Sequence, residues 1–328
     1  MSSPGPQADA ARSGGTAEVG LMVEGQEGLT WARWATLLDV AEELSFASLH
    51  RSDHLTGIEG DADRPTLSLW PSLTMAALRT ERLRFGPLVS PMTFLPPALV
   101  ATMAMDLDTL SDGRLDLGLG AGWNDHEHAM FGLPYPRYPE RLALLDEAAQ
   151  VIRALWSGEP TSLDGEHLTL HEAQVHPRPA SPSPTLVLGG KGARTLAVVA
   201  RHATEWNCSY VGVEVFRDKS AELDRRCQEL GRDPVTLARS VMAPFVVGRD
   251  DTEVAAAIAG QRRTFAGLPA DLDAWIAAGF IGGTPERVVE QLGAFVEAGA
   301  SRFMLQHNDL DDRASLELLA TEVLPHID

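Results

Sequence analysis

Cysteine is scarce: Cys208 and Cys227 are the only two in 328 residues. Two thiols cannot form a disulfide framework, nor a zinc site without further ligands, so the sequence favours a reducing cytoplasm. No apolar run approaches about 20 residues, and no membrane-spanning helix is predicted. Residues 1–17 lack the apolar segment of a signal peptide. We expect them to form a disordered tail ahead of a single domain over residues 18–328.

Basic residues are also in short supply. Lys and Arg number 27 against 46 Asp and Glu, giving a formal net charge of −19. Nucleic acids and anionic membranes are recognised by a basic face, so we expect neither as a partner, and a small-molecule substrate is favoured. A metal site is not expected either. His126 and His128 stand two residues apart, a spacing that separates side chains on a helix.

Short apolar segments alternate with helical patterns from residue 18 onward. The predicted strands lie near 19–23, 48–51, 83–90, 115–120, 185–188, 205–208, 240–247 and 302–306. This order predicts parallel strands joined by right-handed crossovers. Eight units favour a (β/α)₈ TIM barrel over an open doubly wound sheet, because no Gly-x-Gly-x-x-Gly follows the first strand. Segments 157–184 and 264–283 break the alternation and predict insertions after strands four and seven.

The barrel prediction restricts where a site can lie, because active sites of such barrels occupy the carboxyl ends of the strands. The polar and glycine residues at those ends are Glu24, Ser52-Asp53-His54, Ser90, Ala121–Asn124, Gly189–Arg194 and Trp206. A histidine there can exchange a proton near neutral pH, and Arg51 and Asp53 would flank His54 with one charge of each sign. The competing interpretation is a surface histidine paired with a carboxylate.

Two glycine patterns point to a ligand. Gly118, Gly120 and Gly122 stand at every second position of one strand, where close approach of a flat ligand would explain them. Residues 188–194 read as a strand, a glycine turn and a helix start, and Lys191 and Arg194 add positive charge. Free N–H groups at such a junction suit a phosphate, although an ordinary strand-to-helix turn has the same pattern.

Taken together, these motifs resemble the bacterial luciferase-like superfamily of flavin- and deazaflavin-dependent oxidoreductases. The resemblance spans about residues 18–325 and lies in Ser52-Asp53-His54, the Leu88–Phe94 stretch, Gly113-Arg114, Gly118–Asn124, Leu188-Gly189-Gly190 and Glu205-Trp206-Asn207. Within the superfamily the chain is more similar to the branch that uses the deazaflavin coenzyme F420 than to the luciferases.

The resemblance implies a flavin-type ring across the barrel mouth. It assigns ring contacts to Asp53, His54, Ser90, Ala121 and Gly122, and phosphate-side contacts to Gly189, Gly190, Gly192 and Ala193. Asn124 and Arg194 complete the candidate cofactor contacts. It also implies a bulge at strand three with a non-proline cis peptide, by position Pro87–Leu88, and a homodimer. One departure matters: the sugar-phosphate dehydrogenases of this group have a catalytic glutamate where this chain has Trp123, so their substrate is not carried over.

Three functional hypotheses follow. The first is an F420-dependent oxidoreductase transferring hydride to or from a small organic substrate, with His54 and Glu24 as candidate proton donors. The second is an FMN-dependent monooxygenase supplied with reduced flavin by a separate reductase. The third is a catalytically silent flavin-binding protein. In the first two Trp123 would wall the substrate pocket, and Trp206 would either do the same or belong to the barrel core.

Overall fold

The structure, a computed structural model, describes residues 17–59, 63–178 and 184–327. The expected N-terminal tail lies outside them except for Ala17. The strands are β1 Glu18–Val23, β2 Ser48–Arg51, β3 Arg84–Pro87, β4 Ser90–Pro91, β5 Asp116–Gly120, β6 Thr161–Asp164, β7 Thr169–Ala173, β8 Thr185–Gly189, β9 Glu205–Ser209, β10 Ala238–Val247, β11 Ile281–Gly283 and β12 Arg302–Gln306. The α-helices are α1 Trp31–Glu43, α2 Leu69–Arg79, α3 Pro97–Leu110, α4 Asp125–Met130, α5 Tyr138–Trp156, α6 Ala193–His202, α7 Val213–Glu229, α8 Asp251–Gln261, α9 Leu272–Ala277, α10 Pro285–Glu297 and α11 Arg313–Glu322. Pro234–Thr236 and Leu324–His326 form short 3₁₀ helices.

Nine parallel strands follow one another around the barrel in the order β3-β2-β1-β12-β10-β9-β8-β5-β4. The two ends of this path, β3 and β4, are consecutive segments of one stretch of chain, and a bridge between Phe85 and Leu115 joins β3 to the start of β5. The predicted barrel is therefore confirmed, with its third strand divided in two. Its carboxyl-terminal rim is where the chemistry of such folds is found.

The break in the third strand explains the strand glycines. The peptide bond between Leu88 and Val89 is cis, so the expected position, Pro87–Leu88, was wrong by one residue. A Cβ atom on Gly118 would overlap the Pro87 carbonyl oxygen, and one on Gly120 would overlap the Val89 side chain. Close approach of this chain segment therefore accounts for glycine at both positions without invoking a ligand.

We expect Gly118→Ala to destabilise the protein by about 1–3 kcal/mol, because the added methyl overlaps backbone that cannot rotate away. Gly293→Ala is the matched control, since its Cβ would meet open space on α10. That variant should gain up to about 1 kcal/mol from helix propensity. Urea unfolding of both variants measures the difference, and equal stabilities would contradict this account of Gly118.

The insertion segments carry structure of their own. Between α5 and β8, strands β6 and β7 pair as an antiparallel hairpin. Between α8 and α10, β11 pairs with the far end of β10 after the short helix α9. Helix α5 buries an apolar face that includes Leu142, Leu145, Ala149, Ile152 and Trp156, and α10 begins at Pro285 with Thr284 as its N-cap residue. No helix in the described residues is both long and apolar enough to cross a membrane.

The barrel interior differs between its two ends. Near the carboxyl ends of the strands the interior is apolar, with Met22, Leu88, Val187, Met242 and Met304 in one cluster. The start of the strands carries buried charge instead. There Asp116 receives a hydrogen bond from Arg302 at 2.6 Å and another from Arg84, and Arg302 also bonds Glu205 at 3.1 Å. The barrel interior therefore holds a buried cluster of charged side chains at the amino-terminal ends of the strands and an apolar surface at their carboxyl-terminal ends.

Candidate active site at the barrel mouth

A cavity of about 750 Å³ opens at the carboxyl ends of the strands. Met22, Leu88, Val89 and Met242 line its floor, and all four belong to or pack against the apolar cluster inside the barrel. The volume falls within the range of small-molecule sites. A floor made of aliphatic and thioether side chains suits a flat, largely apolar ring.

His54 stands at one side of this floor, three residues beyond the end of β2. Its Nδ1 donates to Oε1 of Glu127 at 2.9 Å, and the other carboxylate oxygen accepts from the Leu55 N–H at 3.1 Å. Both His54 and Glu127 line the cavity. Because a carboxylate only accepts, the proton on Nδ1 is fixed, and Nε2 is the ring nitrogen left for a ligand.

The surroundings of His54 favour its protonated form. Burial alone would lower the pKa of His54, but the hydrogen bond and charge of Glu127, with the charges of Glu24 and Asp53, outweigh it and raise that pKa. A raised pKa extends the pH range over which the imidazole ring keeps its proton. The Trp123 ring meets the His54 ring edge to face, with centroids 5.6 Å apart. His54 is therefore placed to donate a proton beside an aromatic wall.

Asp53 and Ser90 are brought together but do not line the cavity. The Ser90 hydroxyl donates to Oδ2 of Asp53 at 2.7 Å, and both residues are buried. Burial raises the pKa of Asp53, against the Ser90 hydrogen bond and the Arg51 charge, which lower it. This hydrogen bond connects β4 to the loop after β2 and so fixes the position of the residue next to His54. Both side chains lie in the shell that supports the cavity.

Arg51 does not flank His54 as expected. Its guanidinium points towards the start of α2, where it donates to Ser72 Oγ and to the Leu67 carbonyl, each at 2.7 Å. Burial lowers the pKa of Arg51 to about 10. The expectation was wrong because neighbouring residues in a strand point to opposite faces. Arg51 therefore anchors the loop after β2 from outside the barrel.

Glu24 lies at the cavity wall within a hydrogen-bond chain. Its carboxylate accepts from the Gln306 amide at 2.6 Å and from the Gln26 amide at 2.9 Å. Tyr210 donates to the Gln306 carbonyl oxygen at 2.8 Å, and burial raises the pKa of this phenol. Two amides therefore fix the orientation of Glu24. The carboxylate faces the ligand space without a cation bonded to it among the described residues.

Of the four predicted contacts in the turn after β5, three line the cavity and one does not. Ala121, Gly122 and Trp123 line the cavity, and Trp123 is 63% exposed. The Asn124 side chain does not line it. Its Oδ1 accepts from the N–H groups of His126 and Glu127 and so caps α4. Asn124 thereby fixes the helix that presents Glu127 to His54.

The turn between β8 and α6 faces the cavity with its backbone. Gly189, Gly190 and Gly192 line the cavity, whereas Ala193 and Arg194 begin the helix outside that lining. Gly192 provides no side-chain cap, and the first turn of α6 has no acidic residue. Lys191 adds an ammonium group that donates to the Ser209 and Tyr210 carbonyls at 3.3 Å each. This uncapped helix start can bind an anion.

Trp206 belongs to the core and not to the cavity wall. It is fully buried and stacks on Phe216 with ring centroids 5.6 Å apart. Its indole N–H donates to the Gly190 carbonyl at 2.7 Å. Of the two interpretations of Trp206, the structure supports the core residue. Its contribution to the site is to hold the glycine turn in place.

The two histidines of α4, His126 and His128, lie in different environments. His128 is buried, with Nδ1 donating to the Asn124 carbonyl at 2.5 Å and Nε2 accepting from Thr93 at 2.7 Å. His126 is exposed. The described residues contain no group of three or more His, Cys, Asp or Glu arranged to hold a metal ion.

Residues 15–302 match the model of the family described as luciferase-like monooxygenase. This match covers most of the chain. The chain belongs to the luciferase-like monooxygenase family. The resemblance inferred from its motifs is thereby confirmed at the level of the family.

Named relatives of this luciferase-like protein are dehydrogenases. It is 29% identical over 313 residues to an F420-dependent glucose-6-phosphate dehydrogenase of Beutenbergia cavernae, covering 88% of this chain and 91% of the relative. It is also 29% identical over 302 residues to an F420-dependent hydroxymycolic acid dehydrogenase of Mycobacterium tuberculosis, covering 88% and 82%. Among solved structures, an F420-dependent secondary alcohol dehydrogenase in complex with an F420-acetone adduct superposes with a TM-score of 0.84 at 19% identity, covering 95% and 99%. That last likeness concerns the fold.

Several residues of this luciferase-like site escape the sequence motifs. Glu127 lies in a short acidic and histidine-rich stretch that reads as a solvated helix or a weak metal pattern. The remaining cavity-lining residues that we did not predict include Tyr138, Thr195, Tyr210 and Gln306, whereas Asn207 lies in the predicted Glu205-Trp206-Asn207 motif. A usable signal existed for Glu127 alone: Asn124 as a helix N-cap places the third residue after it at a fixed position near the strand end.

Proposed function

We propose that this chain is an oxidoreductase that uses coenzyme F420 to transfer hydride to or from a small organic substrate. The observation that carries the proposal is the pair of His54 and Glu127 beside an apolar floor that faces an uncapped helix start. The two dehydrogenase relatives, each 29% identical, support the same cofactor class. The bound deazaflavin would supply or accept the hydride, and the protein would supply orientation and a proton.

The residues present fit such a cofactor at both of its ends. The floor of Met22, Leu88, Val89 and Met242 offers an apolar surface to a flat ring. The uncapped start of α6 and the Lys191 ammonium offer donors and positive charge to a phosphate. Gly190 has a φ of 126°, which residues with a side chain rarely adopt, and a Cβ atom there would overlap the Thr195 side chain. The turn therefore requires glycine at this position, and its backbone faces the cavity without a side chain in between.

In this proposal His54 holds the exchangeable proton on Nε2. Glu127 fixes the ring through Nδ1 and keeps the pKa of His54 raised. Trp123 excludes water from one side, so that the proton stays near the reacting oxygen. Glu24 is the second candidate proton donor. Its two amide partners orient it towards the same space.

Titration with F420 and, separately, with FMN tests the cofactor. Tryptophan fluorescence reports on Trp123, which is exposed beside the floor. Micromolar F420 binding with much weaker FMN binding supports the proposal. The reverse preference, with oxygen consumption by reduced flavin, would make the chain a monooxygenase that needs a separate reductase. Tight binding of either cofactor without turnover of any substrate would indicate a silent binding protein.

Lys191→Met should weaken F420 binding by about five- to tenfold, because it removes one cation from the helix start that holds the phosphate. Arg201→Met is the matched control on the same helix. Arg201 pairs with Asp146 at the opposite end of α6, so its loss should leave the affinity unchanged. Calorimetric dissociation constants check both variants, and an unchanged affinity in Lys191→Met would contradict the phosphate site.

The proposed setting is a homodimer in the cytoplasm. Two free, buried thiols are consistent with a reducing compartment. Large apolar side chains are exposed on neighbouring helices, with Leu78 on α2 at 69% and Leu99 on α3 at 54%. Sedimentation of the purified protein measures the oligomeric state, and a monomer at micromolar concentration would contradict the dimer.

A further inference from the structure

The charged side chains that line the cavity are mostly acidic. Among the described residues, Lys191 is the sole Lys or Arg that lines the cavity, against the four glutamates Glu24, Glu27, Glu59 and Glu127. An anionic substrate therefore meets more carboxylates than cations. This imbalance decides which substrates can enter beside His54.

Two of these four carboxylates are compensated and two are not. Glu127 is paired with His54, and Glu27 is paired with Arg64 at 2.6 Å. Glu24 accepts from amides and Glu59 has no ion pair within the described part of the chain. Glu24 therefore leaves its charge on the ligand space, and Glu59, which is exposed, adds a charge that solvent partly screens. A phosphate or carboxylate on the substrate would be repelled there.

Lys191, the one lysine or arginine of the described cavity lining, is not available to the substrate. Lys191 lies in the turn before α6, where it already donates to two backbone carbonyls. That turn is the place where the proposed cofactor's own phosphate would bind. A second anion would thus have to compete for the same ammonium group.

The remaining wall is apolar. Ile58 and Phe265 come from the loops after β2 and α8, and Trp123, Leu268 and Phe280 extend the surface. Arg64, in the loop after β2, donates to the Thr264 carbonyl of the loop after α8 at 3.3 Å and so links these two loops, and it also bonds Glu27 in the loop after β1. Substrate contacts away from His54 are therefore mainly with hydrocarbon.

Building on the proposed function, we propose that the substrate is uncharged and largely apolar, and that phosphorylated or carboxylated substrates are rejected. A ketone and the matching secondary alcohol serve as the probes. With a ketone in the reducing direction, the bound deazaflavin would supply hydride to the carbonyl carbon, and His54 Nε2 would give its proton to the carbonyl oxygen. One ketone and one reduced coenzyme would thus give one alcohol and one oxidised coenzyme, because the ring proton that the reduced deazaflavin releases on losing hydride replaces the proton taken from His54. The reverse reaction returns the proton to His54.

The test compares a neutral ketone with an anionic one of equal length, 2-octanone with 7-oxooctanoate, within a panel of aliphatic ketones and their alcohols. Calorimetry measures binding to the full-length protein holding oxidised F420, which cannot reduce a ketone. The same pair is titrated onto cofactor-free protein. We expect the neutral ketone to bind at least about tenfold more tightly in both forms. Turnover with reduced F420 should follow the same order, with glucose 6-phosphate as the phosphorylated comparison.

Phe265→Lys places a cation on the apolar wall outside the proposed proton-transfer residues. It should reduce the preference for the neutral ketone to about threefold or less, whereas Phe265→Met should leave the preference intact. Equal binding of ketone and keto acid by the unmodified protein would overturn the proposal. So would faster turnover of the sugar phosphate, or F420 binding without binding of any panel member. Failure to bind F420 would overturn the proposed function instead, and the cofactor-free titration would still measure the charge preference.

Discussion

His54→Ala should lower kcat by about 100-fold or more, with F420 affinity changed far less. The loss is that of a positioned proton donor, which contributes about 10²–10⁴-fold to such reactions. His54 has the geometry for this role, since Glu127 holds Nδ1 at 2.9 Å and leaves Nε2 to the cavity. Steady-state kinetics together with fluorescence titration separate the two effects. His126→Ala, at an exposed position of α4, is the control and should be silent.

Glu127→Gln tests whether the carboxylate acts through His54. Burial lowers the pKa of His54, and Glu127 is the main group that raises it. Carbonyl reduction needs the protonated ring, so activity is present below the pKa of His54 and is lost as pH rises through it. Without the Glu127 charge that alkaline limb should move to lower pH. A purely structural role would lower activity at every pH and leave the limb in place.

Retained turnover in His54→Ala would contradict the assignment and transfer the proton-donor role to Glu24. Glu24→Gln would then carry the larger loss. A parallel loss of F420 binding in His54→Ala would instead identify His54 as a cofactor contact. The ratio of the two effects therefore distinguishes a proton donor from a binding residue.

The barrel could be predicted from the sequence because its signals are local. Short apolar strands alternate with amphipathic helices, and the alternation alone specifies parallel pairing. The placement of His54 and of the Gly189–Gly192 turn followed from the rule that strand ends form the site. Both line the cavity. Predicting their position at the cavity needed no knowledge of how distant segments meet.

The errors concern contacts between distant segments. Gly118 and Gly120 were interpreted through a ligand, yet the third strand fills the space beside them. Glu127 is 73 residues from His54, and no short-range pattern joins them. Arg51 and Trp206 turn away from the cavity because of which face of their strands packs outward. Sequence spacing predicts which end of a strand a residue occupies, but tertiary packing decides which side chain reaches the ligand.

Arg302→Met should destabilise the protein by about 3–5 kcal/mol, because it leaves buried carboxylates without their shared partner. Arg302 bonds Asp116 at 2.6 Å and Glu205 at 3.1 Å, and all three are buried at the start of the barrel strands. The site lies at the other end of the barrel, so F420 binding by the folded variant should be unchanged. Arg79→Met, which removes an exposed pair with Asp39, is the control and should show no measurable loss.

The loss in Arg302→Met should depend on pH in a defined direction. Burial, the largest effect, raises the pKa of Asp116, but the charges of Arg302 and Arg84 and the adjacent His50 ring, with Nε2 3.3 Å from Oδ2, hold it well below its ordinary value. A depressed carboxyl pKa contributes stability above the unfolded pKa of about 4, and that stability is lost as pH falls through the folded pKa. The unmodified protein should therefore lose stability on acidification more steeply than the variant. Urea unfolding from pH 7 to about pH 3 measures the difference in unfolding free energy between the unmodified protein and Arg302→Met, which should shrink as pH falls. A difference that grows towards low pH would show that Arg302 does not stabilise the ionised form of Asp116.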